Sequence, residues 1–88
     1  MTVRRTADGA IRLEGDCPVE EAETLLALLL ADPEAMVDWR SCGSAHAAVA
    51  QVLLALGRPV LGEPADPFLR RWIAPLLPAG DAAGPVRR

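Results

Sequence analysis

The chain contains no lysine, asparagine or tyrosine, and its aromatic side chains are one phenylalanine and two tryptophans among 88 residues. Its core must therefore be built mainly from Leu, Val, Ile and Ala, within a hydrophobic content of 51%. All nine cations are arginines, and no predicted helix carries a basic stripe. Because nucleic-acid binding needs clustered cations that neutralise phosphates, and the net charge is −3, we expect no nucleic-acid partner.

Long apolar runs are also missing. The longest lies near residues 25–31, which is far short of the ~20 residues that span a bilayer. The first residues contain no apolar core of a signal peptide. We therefore expect a cytoplasmic protein without membrane insertion, in which the two cysteines, Cys17 and Cys42, stay reduced.

The apolar periodicity predicts one small α/β domain in the order β-β-α-β-α-β-α. An Asp-Gly turn joins two antiparallel strands, and helices then alternate with parallel strands. The strands are predicted at 2–6, 10–15, 35–39 and 58–62, and the helices at 18–31, 44–56 and 67–74. We expect a mostly parallel four-stranded sheet with an N-terminal antiparallel hairpin and helices mainly on one face. The domain is predicted at 1–77 and a flexible tail at 78–88.

The stretch from the third strand through the second helix is the candidate site. A polar turn is predicted at 40–43, Ser44 is predicted to cap the helix, and Gly57 to end it. The predicted core face of this helix is Ala45, Ala48, Val49, Val52, Leu53 and Leu56. A second stripe is predicted to face outward and to dock a partner helix, and it consists of Ala47, Ala50, Gln51 and Leu54. In the last helix, the residues predicted to face inward are Leu69, Trp72, Ile73, Leu76 and Leu77.

Residues 37–56, VDWRSCGSAHAAVAQVLLAL, resemble the signature of the STAS domain, which occurs in sulphate transporters and anti-sigma-factor antagonists. In that signature an apolar strand ends in Asp, and Asp-Ser-Ser-Gly or Asp-Thr-Ala-Gly opens a helix rich in Leu and Ala. Asp38 stands at the strand-end Asp. The sequence departs from the signature where the motif opens: His46 stands at the Asp, Ala47 stands where the phosphorylated Ser or Thr would be, and Ala48 and Val49 replace the next small residue and the Gly. The family's last strand and helix are not expected after Leu77.

The resemblance implies a non-catalytic, anti-sigma-factor-antagonist-like interaction module of bacterial signalling, without the usual phospho-switch. Its partner would be an anti-sigma kinase, a histidine-kinase-type protein or a chemotaxis-type assembly. The alternative partner is the ATPase of an ABC-type transporter, which a small STAS-like chain would serve as an accessory subunit. The predicted partner-binding residues are Arg40, Ser44, His46, Ala47, Ala50, Gln51 and Leu54.

The residues near the turn at 40–43 leave other kinds of site open, at the edge of the sheet where the parallel strands end. Cys17, Cys42 and His46 supply ligand types that hold zinc, which makes a metal- or ligand-binding protein a further alternative. Ser41 or Ser44 could accept a phosphate. Because no acid or base stands in fixed register with His46, we expect no catalysis, and we expect no cofactor. Exposed strand edges would allow a homodimer.

Overall fold

A computed structural model describes residues 2–80 of the chain. Its strands are β1 (Val3–Arg5), β2 (Ile11–Cys17), β3 (Val37–Ala45) and β4 (Val60–Leu61). Its α-helices are α1 (Glu20–Ala31) and α2 (Ala47–Leu56). A π-helix (Leu69–Ile73) and a 3₁₀ turn (Ala74–Leu76) follow, and we call them together the C-terminal helical segment.

The four strands form one sheet in the order β1-β2-β3-β4. The β1–β2 pair is antiparallel, and the β2–β3 and β3–β4 pairs are parallel. Gly9 has a φ of +90°, a conformation that favours glycine, and it turns the chain between β1 and β2. The small α/β domain with an antiparallel hairpin and an otherwise parallel sheet agrees with the sequence prediction.

One face of the sheet carries the hydrophobic core. Alternate residues of β1, β2 and β3 are fully buried because successive side chains of a strand point to opposite faces. Residues from both α-helices and from the C-terminal helical segment join the same cluster. The largest fully buried members are Trp39, Ile11, Leu13, Leu25, Leu29 and Leu69.

The opposite face of the sheet is polar. Arg4 and Arg12 both contact the Glu14 carboxylate at 3.3 Å, and Arg40 contacts Asp38 at 2.9 Å. The pairs of Arg4 and Arg12 with Glu14 are partly exposed, so each contributes at most about 1 kcal/mol to stability. The Asp38 carboxylate is buried. The two faces therefore follow the alternation that the sequence shows in its first two strands.

The C-terminal helical segment differs from the predicted helix. Leu69 and Ile73 are buried as predicted, but Trp72 is 58% exposed and Leu76 is 67% exposed. The prediction assumed 3.6 residues per turn, whereas the wider turn of a π-helix rotates each successive side chain by a smaller angle. The prediction that Trp72 and Leu76 face the core is therefore wrong.

The chain also stays paired beyond the predicted domain end at residue 77. Ala79 forms an isolated parallel bridge with Val60. The Val60 N–H donates to the Pro78 carbonyl at 3.0 Å, and the Gly80 N–H donates to the Val60 carbonyl at 2.6 Å. Residues 78–80 are thus part of the fold, while the rest of the predicted tail lies outside the described residues.

Candidate functional site

The predicted turn at 40–43 belongs to β3, which runs on to Ala45. The reason is pairing: residues up to Cys17 of β2 accompany β3 along this length. Ser44 therefore lies in the strand, where its hydroxyl donates to Asp16 Oδ1 at 2.6 Å. The prediction that Ser44 caps the helix is wrong.

His46 is the residue that caps α2. Its Nδ1 accepts a hydrogen bond from the Ala48 N–H at 3.0 Å, and its own backbone N–H donates to the Cys17 carbonyl at 2.9 Å. An acceptor at Nδ1 means that the neutral ring carries its proton on Nε2. His46 thus fixes the start of the helix and leaves Nε2–H as a donor on an exposed side chain.

The outward stripe of α2 is only partly as predicted. Ala47, Gln51 and Leu54 are exposed, and Leu54 is 39% exposed. Ala50 is 4% exposed, so its assignment to the docking stripe is wrong. The C-terminal helical segment packs against α2 and shares a core cluster with Ala50, which covers this position.

The other side of α2 is more open than predicted. Ala48 and Val52 were assigned to the core face, but they are only partly buried and line a groove between α1 and α2. The groove has a volume of about 370 Å³ and is largely apolar. Ala48 and Val52 thus border this groove, while Val49, Ala50 and Leu53 are the buried residues of α2.

The two cysteines are buried neighbours beneath the carboxyl edge of the sheet. The Cys42 side chain lowers the pKa of Cys17 to about 7. The Cys17 side chain, and then burial, raise the pKa of Cys42. The Nδ1 of His46 is used in the cap of α2, which leaves its Nε2 free. Among residues 2–80, no three His, Cys, Asp or Glu side chains form a group that could hold a metal ion.

Asp38 binds Arg40. Its carboxylate accepts from the Arg40 backbone N–H at 3.2 Å and from two guanidinium nitrogens at 3.0 and 2.9 Å. The Arg40 side chain holds the pKa of this buried carboxyl below its usual value. The predicted partner-binding Arg40 is exposed, but its charge is already paired with Asp38.

Sequence reasoning missed the second role of Asp66. Its Oδ1 accepts from the Phe68 N–H at 2.8 Å, as expected of a cap, and its Oδ2 accepts from the Ala45 N–H at 3.1 Å. The backbone N–H of Asp66 also donates to the Cys42 carbonyl at 3.1 Å. This buried side chain thereby ties the end of β3 to the start of the C-terminal helical segment. In the sequence, Asp66 followed by Pro67 is typical of a helix start and so indicates only the cap.

Comparisons with protein-family models, with curated proteins and with solved structures give no match for this chain. None of the helices formed by residues 2–80 has the length and apolar character needed to cross a membrane.

Proposed function

We propose that the chain is a non-catalytic, STAS-like protein-binding module of bacterial signal transduction. The observation that carries this proposal is the start of α2, where an exposed surface of His46, Ala47, Gln51 and Leu54 follows the carboxyl end of a parallel strand. Ligands and partners commonly bind at that edge of an open α/β sheet. We call these four residues the α2 surface.

The polar groups around the α2 surface support binding over catalysis. The Ser44 hydroxyl is used by Asp16, the His46 Nδ1 by the Ala48 N–H, and both oxygens of Asp66 by backbone N–H groups. The His46 and Asp66 side chains hold backbone N–H groups, and the Ser44 hydroxyl is bonded directly to a carboxylate, which is not the serine–histidine arrangement of an activated nucleophile. Both cysteines are buried.

The first residue of α2 supports partner binding that is not regulated by phosphorylation at this position. Ala47 is exposed there and has no hydroxyl to modify. In the resemblance to the STAS signature this is the phosphoacceptor position. Partner binding would then be set by the concentrations of the two proteins, in the cytoplasm of a bacterium.

The Leu54→Arg substitution tests the proposal. It places a charge on the most apolar residue of the α2 surface, and we expect it to abolish capture of the partner in a pulldown whose bound proteins are identified by mass spectrometry. Leu30→Arg is the matched control, because Leu30 is an exposed leucine on the other α-helix. Far-ultraviolet circular dichroism checks that both variants keep the fold.

The identity of the captured protein separates the two partner classes. An anti-sigma or histidine-kinase-type protein supports the signalling proposal, and a transporter ATPase supports the accessory-subunit alternative. Capture that Leu54→Arg leaves unchanged would rule out the α2 surface as the contact.

A further inference from the structure

The exposed apolar side chains of the molecule lie on its helical elements. One set borders the groove between α1 and α2. Leu26, Ala48 and Val52 line this groove, and Val19 lies beside its acidic end, where Glu20 and Glu23 are found. Helix α1 carries three glutamates in its first turn and no basic residue in its last, while α2 has no charged residue. We call this region the acidic groove.

A second set lies on the C-terminal helical segment. Phe68 and Trp72 are about half exposed, and Leu76 is more so. Arg70 and Arg71 lie between the two aromatic residues, and the Arg71 guanidinium is 5.0 Å from the centre of the Trp72 ring. This segment has no acidic residue from Leu69 to Leu76. We call Phe68, Arg70, Arg71, Trp72 and Leu76 the basic aromatic patch.

We propose that two copies of this chain associate through their helical sides, with the basic aromatic patch of each copy covering the acidic groove of the other. The two surfaces match in charge, since arginines of the patch would meet Glu20 and Glu23. Within residues 2–80 none of these four charged side chains forms a salt bridge. Tryptophan and arginine are also the residues most enriched at the energetic centres of protein interfaces.

The arrangement of the helices permits a closed dimer. Helix α2 contacts both α1 and the C-terminal helical segment, so it lies between the groove and the patch. A two-fold axis parallel to α2 would therefore bring the C-terminal helical segment of each copy opposite α1 of the other. Such an interface uses the same surface on both copies and closes on itself, which excludes open-ended growth.

The size of this surface indicates a weak dimer. Helices of 12 and 10 residues are about 18 and 15 Å long at 1.5 Å per residue. Three such elements side by side, about 9 Å apart, present a face of roughly 500 Å². This is below the roughly 800 Å² per partner of a standard interface, so we expect association in roughly the micromolar range. The dimer does not rest on the proposed function, which concerns the start of α2.

A charge-swap experiment tests this dimer. The patch variant carries Arg70→Glu and Arg71→Glu, and the groove variant carries Glu20→Arg and Glu23→Arg. Each variant alone places like charges at both halves of the interface, and we expect its dimerisation to weaken about tenfold or more. Mixing the two variants restores opposite charges at both halves, so the mixture should dimerise like the unaltered chain. Sedimentation velocity measures each state.

The matched control for the groove variant carries Glu34→Arg and Glu63→Arg, two exposed glutamates outside the helices whose replacement changes the net charge by the same amount. It should dimerise like the unaltered chain. A second measurement needs no charge variant: quenching of Trp72 fluorescence by acrylamide should decrease as protein concentration rises from about 5 to about 500 µM. A Trp72→Phe chain reports the contribution of Trp39, which is fully buried.

The proposal is overturned if the unaltered chain stays monomeric at the highest concentration. It is also overturned if a dimer forms but both swap variants leave it intact, or if their mixture does not recover it. Because α2 lies opposite its own copy in this dimer, Leu54→Arg is expected to weaken dimerisation as well as partner capture. The charge-swap variants leave Leu54 unchanged and therefore test the dimer separately from the α2 surface.

Discussion

Single side chains that bind backbone groups hold the ends of the elements together. Arg58 illustrates this, because its guanidinium donates to the carbonyls of Leu29, Asp32 and Ala35 at 2.7, 2.9 and 3.4 Å. The last carbonyls of a helix have no partner within the helix. Arg58 therefore satisfies the end of α1 and ties it to the chain that enters β4.

Replacing Arg58 by alanine should lower the free energy of unfolding by about 1–3 kcal/mol, because hydrogen bonds from a charged donor to partly buried carbonyls are lost. Urea denaturation measures the change. Arg4→Ala is the control, since the ion pair of Arg4 with Glu14 is exposed, and we expect it to cost at most about 1 kcal/mol. Equal losses in the two variants would contradict this role of Arg58.

At the scale of whole elements, the sequence predicted where strands and helices occur better than where they end. The alternation in β1 and β2 and the Asp-Gly turn between them indicated the hairpin directly. β3 was predicted too short because Ser, Cys and Gly at 41–44 are typical turn residues, whereas pairing with β2 keeps them in the strand. Pairing between distant segments leaves no local signal in the sequence.

The position of residues 40–54 in the fold was predicted better than the contacts of their side chains. The stretch runs from the carboxyl end of β3 into α2. Ala50 was misplaced because helical periodicity alone does not tell which neighbour covers the side of a helix. Here the C-terminal helical segment covers that side. The cap at His46 was missed because serine is the more common cap.

The pairing of residues 78–80 with β4 yields a prediction at this scale. A chain that ends at Leu77 loses the two hydrogen bonds that Val60 makes with Pro78 and Gly80. It should be less stable than a chain that ends at Gly80 by about 1–2 kcal/mol, at about 1 kcal/mol for each bond. Urea denaturation of the two chains, compared directly, checks this. Equal midpoints would mean that the bridge contributes nothing.

The molecule as a whole depends on carboxylates whose charged form the fold favours. Hydrogen bonds from Thr6, Arg4, Arg5 and Arg40 lower the pKa values of Asp8, Glu14, Asp32 and Asp38, respectively. A carboxyl group with a lowered folded pKa binds protons more readily in the unfolded chain. Its contribution to stability is therefore present above the unfolded pKa and is lost as the pH falls through the folded pKa.

We expect thermal stability to change little between about pH 7 and pH 5 and to fall below about pH 4, where unfolded carboxyl groups begin to take up protons. In Arg40→Met the pKa of Asp38 should rise, because its main hydrogen-bond donor is lost, and the acid transition should move to higher pH. Melting curves against pH and an NMR titration of the Asp38 carboxyl carbon measure both effects. A lower Asp38 pKa in Arg40→Met would contradict the pairing.

The two irregularities in β3 have a consequence for how its sequence can change. Between the pairs Arg12–Asp38 and Glu14–Ser41, β3 contains one residue more than β2. The same is true between the pairs Gly15–Cys42 and Asp16–Ser44. Each extra residue shifts the alternation of inward and outward side chains by one position. Together the two shifts restore the alternation that the strand had before the first irregularity. Deleting residue 40 or 41 would restore a period of two between Trp39 and Cys42 and leave Cys42 facing the core. β3 should therefore tolerate the loss of one residue at an irregularity better than at a regularly paired position.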